Sequence, residues 1–270
     1  MAYEDADEVL RAWRSVAFPG HFGGSLIVAL LLAPAARRAL QPLHASDTKK
    51  TPTNEQKKRE EACWKLAAHS ILSCAGAAAC WASRDLPLFE GWPLRGHANS
   101  QRDETTQMRA LYVLEQGFYV YSLYDATALE VARRDFLSTV GHHVLANALI
   151  AGSFWFAFLR VGALMMFLND FVDVWFEAAK LLRYAAHGRA SNVVFFVFLA
   201  AWGVCRQVVT PWLICAPAYA DGWELVREFG ATRRDATVWA CFNAGLLGMV
   251  ALHTYWFVFL VQKARNIVKS

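Results

Sequence analysis

The chain has 270 residues, of which 56 % are hydrophobic and only 19 % charged, against about a quarter charged in an ordinary soluble domain. With 11 Trp, 18 Phe and 8 Tyr, this profile excludes a disordered chain, a disulfide-stapled secreted module and a coiled coil, and points to a polytopic membrane protein. The formal charge of +4, from 27 basic and 23 acidic residues, is too small to indicate a nucleic-acid partner.

The first residues, Met1-Ala2-Tyr3-Glu4-Asp5, are acidic, whereas a cleavable signal peptide starts positive. Insertion is therefore expected from the spans themselves. A spanning helix needs about 20 mostly apolar residues. Seven stretches qualify: Phe18–Ala36, Cys63–Ser83, Ala110–Leu129, Phe136–Leu159, Val161–Tyr184, Asn192–Tyr219 and Ala236–Gln262. The reading is an all-α, polytopic transmembrane helix bundle of about seven spans. Most connections are short; Arg37–Glu61 and Arg84–Arg109 are longer. Neither an internal repeat nor a soluble domain is visible.

Cys63, Cys74, Cys80, Cys205, Cys215 and Cys241 form no C-x-x-C pair and sit mostly in apolar runs, so they read as small buried hydrophobes. Basic residues concentrate at 37–59, 133–134, 183–189 and 263–269, which seven spans place on one side. The richer side is expected to be cytosolic, leaving the N-terminus luminal and the C-terminus cytosolic. Trp81, Trp92, Trp212 and Trp239 lie near span ends, where interfacial anchors belong.

Ionisable groups inside a bilayer are costly and usually mark a function. The fourth span carries His142 and His143, about 100° apart on a helix, so both rings need not enter one pocket. The fifth carries Asp170, Asp173, Glu177, Lys180 and Tyr184 in steps of three and four, a spacing that puts them on one face lining a cavity. His142 lies about 12 Å and Asp173 about 16 Å from the same membrane side at the helical rise, so the two are expected to share a site. His69 and His253 read as packing residues, Lys65 as snorkelling to the surface, and Arg206 as paired within the bundle. Glu115 and Asp125 are ambiguous between packing and cavity. The lysine-rich Lys49–Arg59 loop reads as solvated near anionic lipid.

Arg133-Arg134-Asp135-Phe136, His142-His143, Arg160-x-Gly162, Asn169-Asp170-x-x-Asp173, Glu177-x-x-Lys180 and Tyr184 form an ordered series. It resembles the signature stretch of ceramide synthases, within the wider TLC-domain membrane family. Glu61-Ala62-Cys63-Trp64-Lys65 is similar to the family's entry into its first TLC helix. Leu252-His253-x-Tyr255-Trp256-Phe257 is similar to its last. The resemblance covers residues 58–262. It implies a six-helix TLC core plus one N-terminal span: residues 1–57 hold that span and a basic cytosolic loop, 58–264 the TLC domain, and 265–270 a cytosolic tail. Two departures stand out. Asn169 replaces the His that usually precedes the first aspartate, and Asn can hydrogen-bond but cannot titrate. The loop between the first two spans, about 25 residues, has no room for the homeobox-like insert of some animal members.

The resemblance implies N-acylation of a sphingoid base by a fatty acyl-CoA in the endoplasmic reticulum membrane, giving a ceramide or dihydroceramide. It implies His142, His143, Asp170 and Asp173 as catalytic residues. Arg133, Arg134, Arg160, Asn169, Glu177, Lys180 and Tyr184 are implied to bind substrate. Imidazole titrates near neutrality and can act as base or attack the thioester and carry the acyl group. Arg133 and Arg134 suit CoA phosphates. No bound cofactor is expected, with acyl-CoA as co-substrate. The eight His are scattered rather than boxed as in membrane di-iron enzymes, and His142, His143, Asp170 and Asp173 are read as acid–base groups rather than zinc ligands. Expected partners are the two substrates, membrane lipids and a second TLC chain in a homo- or heterodimer. The competing reading is a non-enzymatic TLC protein that binds or traffics lipid.

Overall fold

The computed structural model describes residues 19–40, 54–82, 105–128, 135–156, 158–228 and 233–269. These residues form seven helices and no strand: α1 Pro19–Leu40, α2 Asn54–Ala82, α3 Thr106–Ala128, α4 Phe136–Trp155, α5 Leu159–Tyr184, α6 from Gly188, and α7 Arg233–Lys269. α6 runs as an α-helix over Gly188–Trp202, widens to π-turns over Gly203–Cys215 and returns to α over Ala216–Glu228. The all-α membrane bundle expected from the sequence is what forms. By length and composition alone, α1, α6 and α7 are apolar enough to cross a bilayer. The other four carry the polar residues that the bundle turns inward.

Six helices close a ring. α2 packs on α3, α3 on α4, α4 on α7, α7 on α6, α6 on α5, and α5 back on α2. α5 also touches α3 and α4, which brings its polar face into the middle. α1 lies outside the ring, chiefly against α3.

Two local devices fix this arrangement. The α5–α6 corner is a Schellman turn: His187 N donates to Leu182 O (3.0 Å) and Ala186 N to Arg183 O (3.2 Å). Ala186 takes φ 62° there, the left-handed position usually given to glycine. Ser191 Oγ then donates to Ala179 O (3.0 Å), stapling the start of α6 to α5. At the opposite end of the bundle, the fully buried Tyr112 hydroxyl meets Ser153 Oγ (3.0 Å) and donates toward Leu159 O (3.1 Å). A Cβ on Gly162 would overlap that hydroxyl, so only glycine lets α5 approach α3 at this level.

The six cysteines are free; Cys205 and Cys215 are buried, but Cys74 and Cys241 are exposed on outer helix faces, contrary to the buried reading. Trp81 is exposed at the end of α2, whereas Trp212 is exposed within the π-turn stretch of α6 rather than at a helix end. Trp239 packs with Trp223 and Tyr219, and its Nε1 donates to Tyr219 O (3.1 Å). Trp92 lies outside the described residues.

Candidate functional site

All six ring helices line one cavity of about 270 Å³. It sits toward the end where α2, α4 and α6 begin and α3, α5 and α7 finish. His69 comes from α2, Tyr119 and Asp125 from α3, and Thr139, His142 and His143 from α4. Asp173, Glu177 and Lys180 come from α5, Trp202 and Arg206 from α6, and Trp256, Phe259 and Leu260 from α7.

Three ion pairs stand around the mouth. Lys180 Nζ reaches Glu177 (2.8 Å) one turn along α5. Lys65 pairs with Glu61 one turn along α2, so it turns to the cavity wall rather than snorkelling outward. Arg37, from α1 outside the ring, reaches Asp125 (2.5 Å) and donates to the Tyr121 hydroxyl (3.1 Å). Asp125 is therefore a cavity residue.

Deeper, Arg206 is the organising group. It is 4 % exposed, and its Nη2 donates to Asp173 Oδ2 (2.7 Å) and to Asn169 O (3.0 Å). The guanidinium lies over the Trp202 ring at 4.2 Å, and Trp202 Nε1 donates to His253 O (3.3 Å). Arg206 stands in the π-helical stretch of α6, a local geometry that recurs at functional sites because it redirects a side chain. A buried guanidinium needs a carboxylate partner; Asp173 supplies it.

His142 and His143 sit beside this pair with ring centroids 5.5 Å apart. His142 packs against Trp256 (5.4 Å) and His253 (5.8 Å), and His143 edge-on to Tyr119 (5.8 Å). Both Nδ1 atoms are buried without a hydrogen-bond partner among the described residues, and both residues line the cavity. Adjacent positions nonetheless share one pocket, because the cavity is broad enough across α4 to take both.

The two aspartates divide. Asp173 lines the cavity and holds Arg206. Asp170, 1 % exposed, points to α2 and binds His69 Nδ1 at 2.7 Å. Neither hydrogen-bonds His142 or His143, so the expected orienting carboxylate belongs to a third imidazole. His69, read from sequence as packing, is thus a cavity residue with a carboxylate partner. Asn169 is buried and turned back on its own helix, Nδ2 donating to Met165 O (2.8 Å). Glu177 and Lys180 join the lining, while Tyr184 lies one turn beyond it and Arg160 at the far end of α5. Arg133 and Arg134 lie outside the described residues.

His69, Arg206 and Trp256 were missed as site residues. A signal existed for the first: Glu61, Lys65 and His69 follow in steps of four on one face of α2.

A family model for the TLC domain (TRAM, LAG1 and CLN8) matches residues 58–262. Among characterised proteins, the chain is similar to ASC1-like protein 3 of Oryza sativa subsp. japonica, 29 % identical over 65 % of this chain and 59 % of that protein. It is similar to ceramide synthase LOH2 of Arabidopsis thaliana, 30 % identical over 70 % of this chain and 61 % of that protein. It is also similar to ceramide synthase 3 of Homo sapiens, 29 % identical over 78 % of this chain and 52 % of that protein. The chain thus spans between half and two thirds of the length of these relatives.

Proposed function

Because this chain belongs to the TLC-domain family, we propose that it is a membrane acyltransferase of the ceramide synthase type. It moves a fatty acyl group from acyl-CoA to the amine of a sphingoid base. The observation that carries this reading is the pair His142–His143 lining one cavity with Asp173 and Glu177.

The chemistry follows from those groups. A protonated amine cannot attack a thioester, so it must lose a proton in the site. Beside the ion-paired Asp173 and Glu177, an imidazole Nε2 takes the proton. The amine nitrogen then bonds the carbonyl carbon and loses its second proton to water at the mouth, the carbon–sulfur bond breaks, and the CoA thiolate leaves with the proton returned from the imidazole. In the covalent route the Nε2 of one imidazole attacks the thioester and expels the CoA thiolate, and the amine, deprotonated by the neighbouring imidazole, then takes the acyl group and frees the first. The intact mass of the protein after acyl-CoA alone separates these routes. Arg206 is a positioning residue that fixes Asp173, and Asp170 does the same for His69. Arg133 and Arg134 precede Asp135, which lines the mouth, so they are proposed to take the CoA phosphates. Arg160 has no part in this scheme.

The proposed setting is the endoplasmic reticulum membrane, with the mouth and C-terminus cytosolic and the N-terminus luminal, and with no resident cofactor. A second TLC chain is the proposed protein partner. The test is expression in membranes lacking their own ceramide synthases, with sphinganine and a panel of acyl-CoAs. N-acyl product that vanishes in His142→Ala and His143→Ala at unchanged protein levels is expected. No product from well-expressed protein overturns the reading in favour of a lipid-binding TLC protein.

A further inference from the structure

Among the described residues three imidazoles line the cavity, and one of them stands beside a carboxylate. His142 and His143 lie on α4 with Nδ1 buried and without a hydrogen-bond partner among those residues. His69 lies on α2, its ring edge-on to Phe118 of α3 at 5.1 Å. Its Nδ1 is 2.7 Å from Asp170 Oδ1. With Nδ1 held there, Nε2 is the ring nitrogen left to the cavity that His69 lines.

The distinction is electrostatic. An imidazole that takes a proton inside a bilayer becomes a cation, and a buried cation needs a carboxylate beside it. Asp173 and Glu177 are committed to Arg206 and Lys180. Asp170, 1 % exposed, meets no Lys or Arg among the described residues; its ion-pair partner is His69. The sequence departs at the same place. Asn169, where the ceramide synthase signature has a His, cannot titrate, and an imidazole from α2 meets the aspartate next to it. Lys65 and Glu61 then follow His69 one turn at a time toward the mouth, so the ring is linked to water by a polar stripe.

We propose that His69 is the catalytic base of acyl transfer: its Nε2 deprotonates the amine, Asp170 balances the imidazolium, and His142 and His143 are left to the thioester. The sphingoid ammonium gives one proton to His69 and a second to water at the mouth, and its nitrogen bonds the acyl carbon. In the direct route the carbon–sulfur bond breaks and the CoA thiolate takes the proton held on His69. In the covalent route the thiolate has already left, the bond that breaks is the one to the histidine nitrogen, and His69 returns its proton to water. The inference rests on the acyltransferase reading and names the base within it.

The test is His69→Asn in the full chain in membranes. Asn sets an amide N–H where the imidazole Nδ1–H stands, so Asp170 keeps its donor, but no base remains. The expected result is a kcat lower by about 10²–10⁴, with the KM for acyl-CoA and the unfolding temperature unchanged. The charged and titratable groups that face His69 are Lys65 on α2, Glu115 on α3, His143 on α4, and Asp170, Asp173 and Glu177 on α5. All of them remain in the variant, so a changed pH profile reports His69. Without a base only amine that is already neutral reacts. The variant's kcat should therefore rise about tenfold per pH unit through the neutral range and approach that of the parent chain at alkaline pH. A loss by the same factor at every pH marks a structural role and overturns the base. A second variant, Asp170→Asn, keeps the side-chain volume and withdraws the counter-charge. It should lower kcat without raising the KM for acyl-CoA, and a rate equal to the parent's also overturns the base. An inactive parent chain removes the acyltransferase reading and the base with it, whereas an active parent matched by an equally active His69→Asn overturns the base alone.

Discussion

The two halves of the ring are made of the same six helices and behave oppositely. Away from the mouth, the helices meet through a glycine and a hydroxyl: Tyr112 threads between Ser153, Leu159 and Gly162, and His21 stacks on Phe154 at 4.0 Å. Toward the mouth, the same helices are propped apart by rings and ion pairs, and a cavity remains. The difference lies in side-chain size and charge at each level. Small residues let backbones close, whereas a buried Arg–Asp pair flanked by imidazoles cannot pack flat.

That contrast can be broken from either side. The largest effect on folding is expected from Asp173→Leu, which leaves the Arg206 guanidinium buried without its counter-ion at a cost of about 3–5 kcal/mol. Thermal unfolding of the detergent-solubilised protein measures it. Adding Arg206→Leu should recover much of that stability and none of the activity, since a packed apolar pair replaces the ionic one. His142→Ala should act in reverse: a rate lower by about 10²–10⁴ in the acyltransferase assay, with the unfolding temperature little changed.

The closed half gives the next test. Gly162→Ala should cost about 1–3 kcal/mol by overpacking against the Tyr112 hydroxyl. Tyr112→Phe removes the overlapping atom, so the double variant should be more stable than the sum of single effects predicts; additive costs would show that the two do not collide. The last test lies at the rim. Arg37 is partly exposed but Asp125 is buried, so Arg37→Ala should lower stability by about 1–3 kcal/mol, and no measurable loss would show that α1 does not hold the rim.

The helices were legible because burial in lipid demands long apolar runs, and the His142–His143 pair because ionisable residues are rare there. The α5 stripe was legible as a stripe, and its Asp173, Glu177 and Lys180 do line the cavity. What each polar group pairs with was not. Asp170 and Asp173 are separated by less than one turn, yet one meets α2 and the other α6. Spacing along one helix says nothing about which neighbour stands at each angle. His69 was hidden for the same reason: alone in its span it resembles packing, and only Asp170, 101 residues away, gives it a partner. Arg206 was legible as paired, but not as the group that positions Asp173.

The order in which the ring closes has a consequence for biogenesis. α7 is the helix that joins α4 to α6, and it emerges last of the seven. Until it arrives, the other six described helices leave the Arg206–Asp173 pair and the histidine face without their final wall. Such an intermediate exposes charge to lipid and is a natural target for membrane chaperones and quality control. Substitutions on α7 that leave the mature site untouched are then expected to lower the amount of protein before they lower the activity of each molecule.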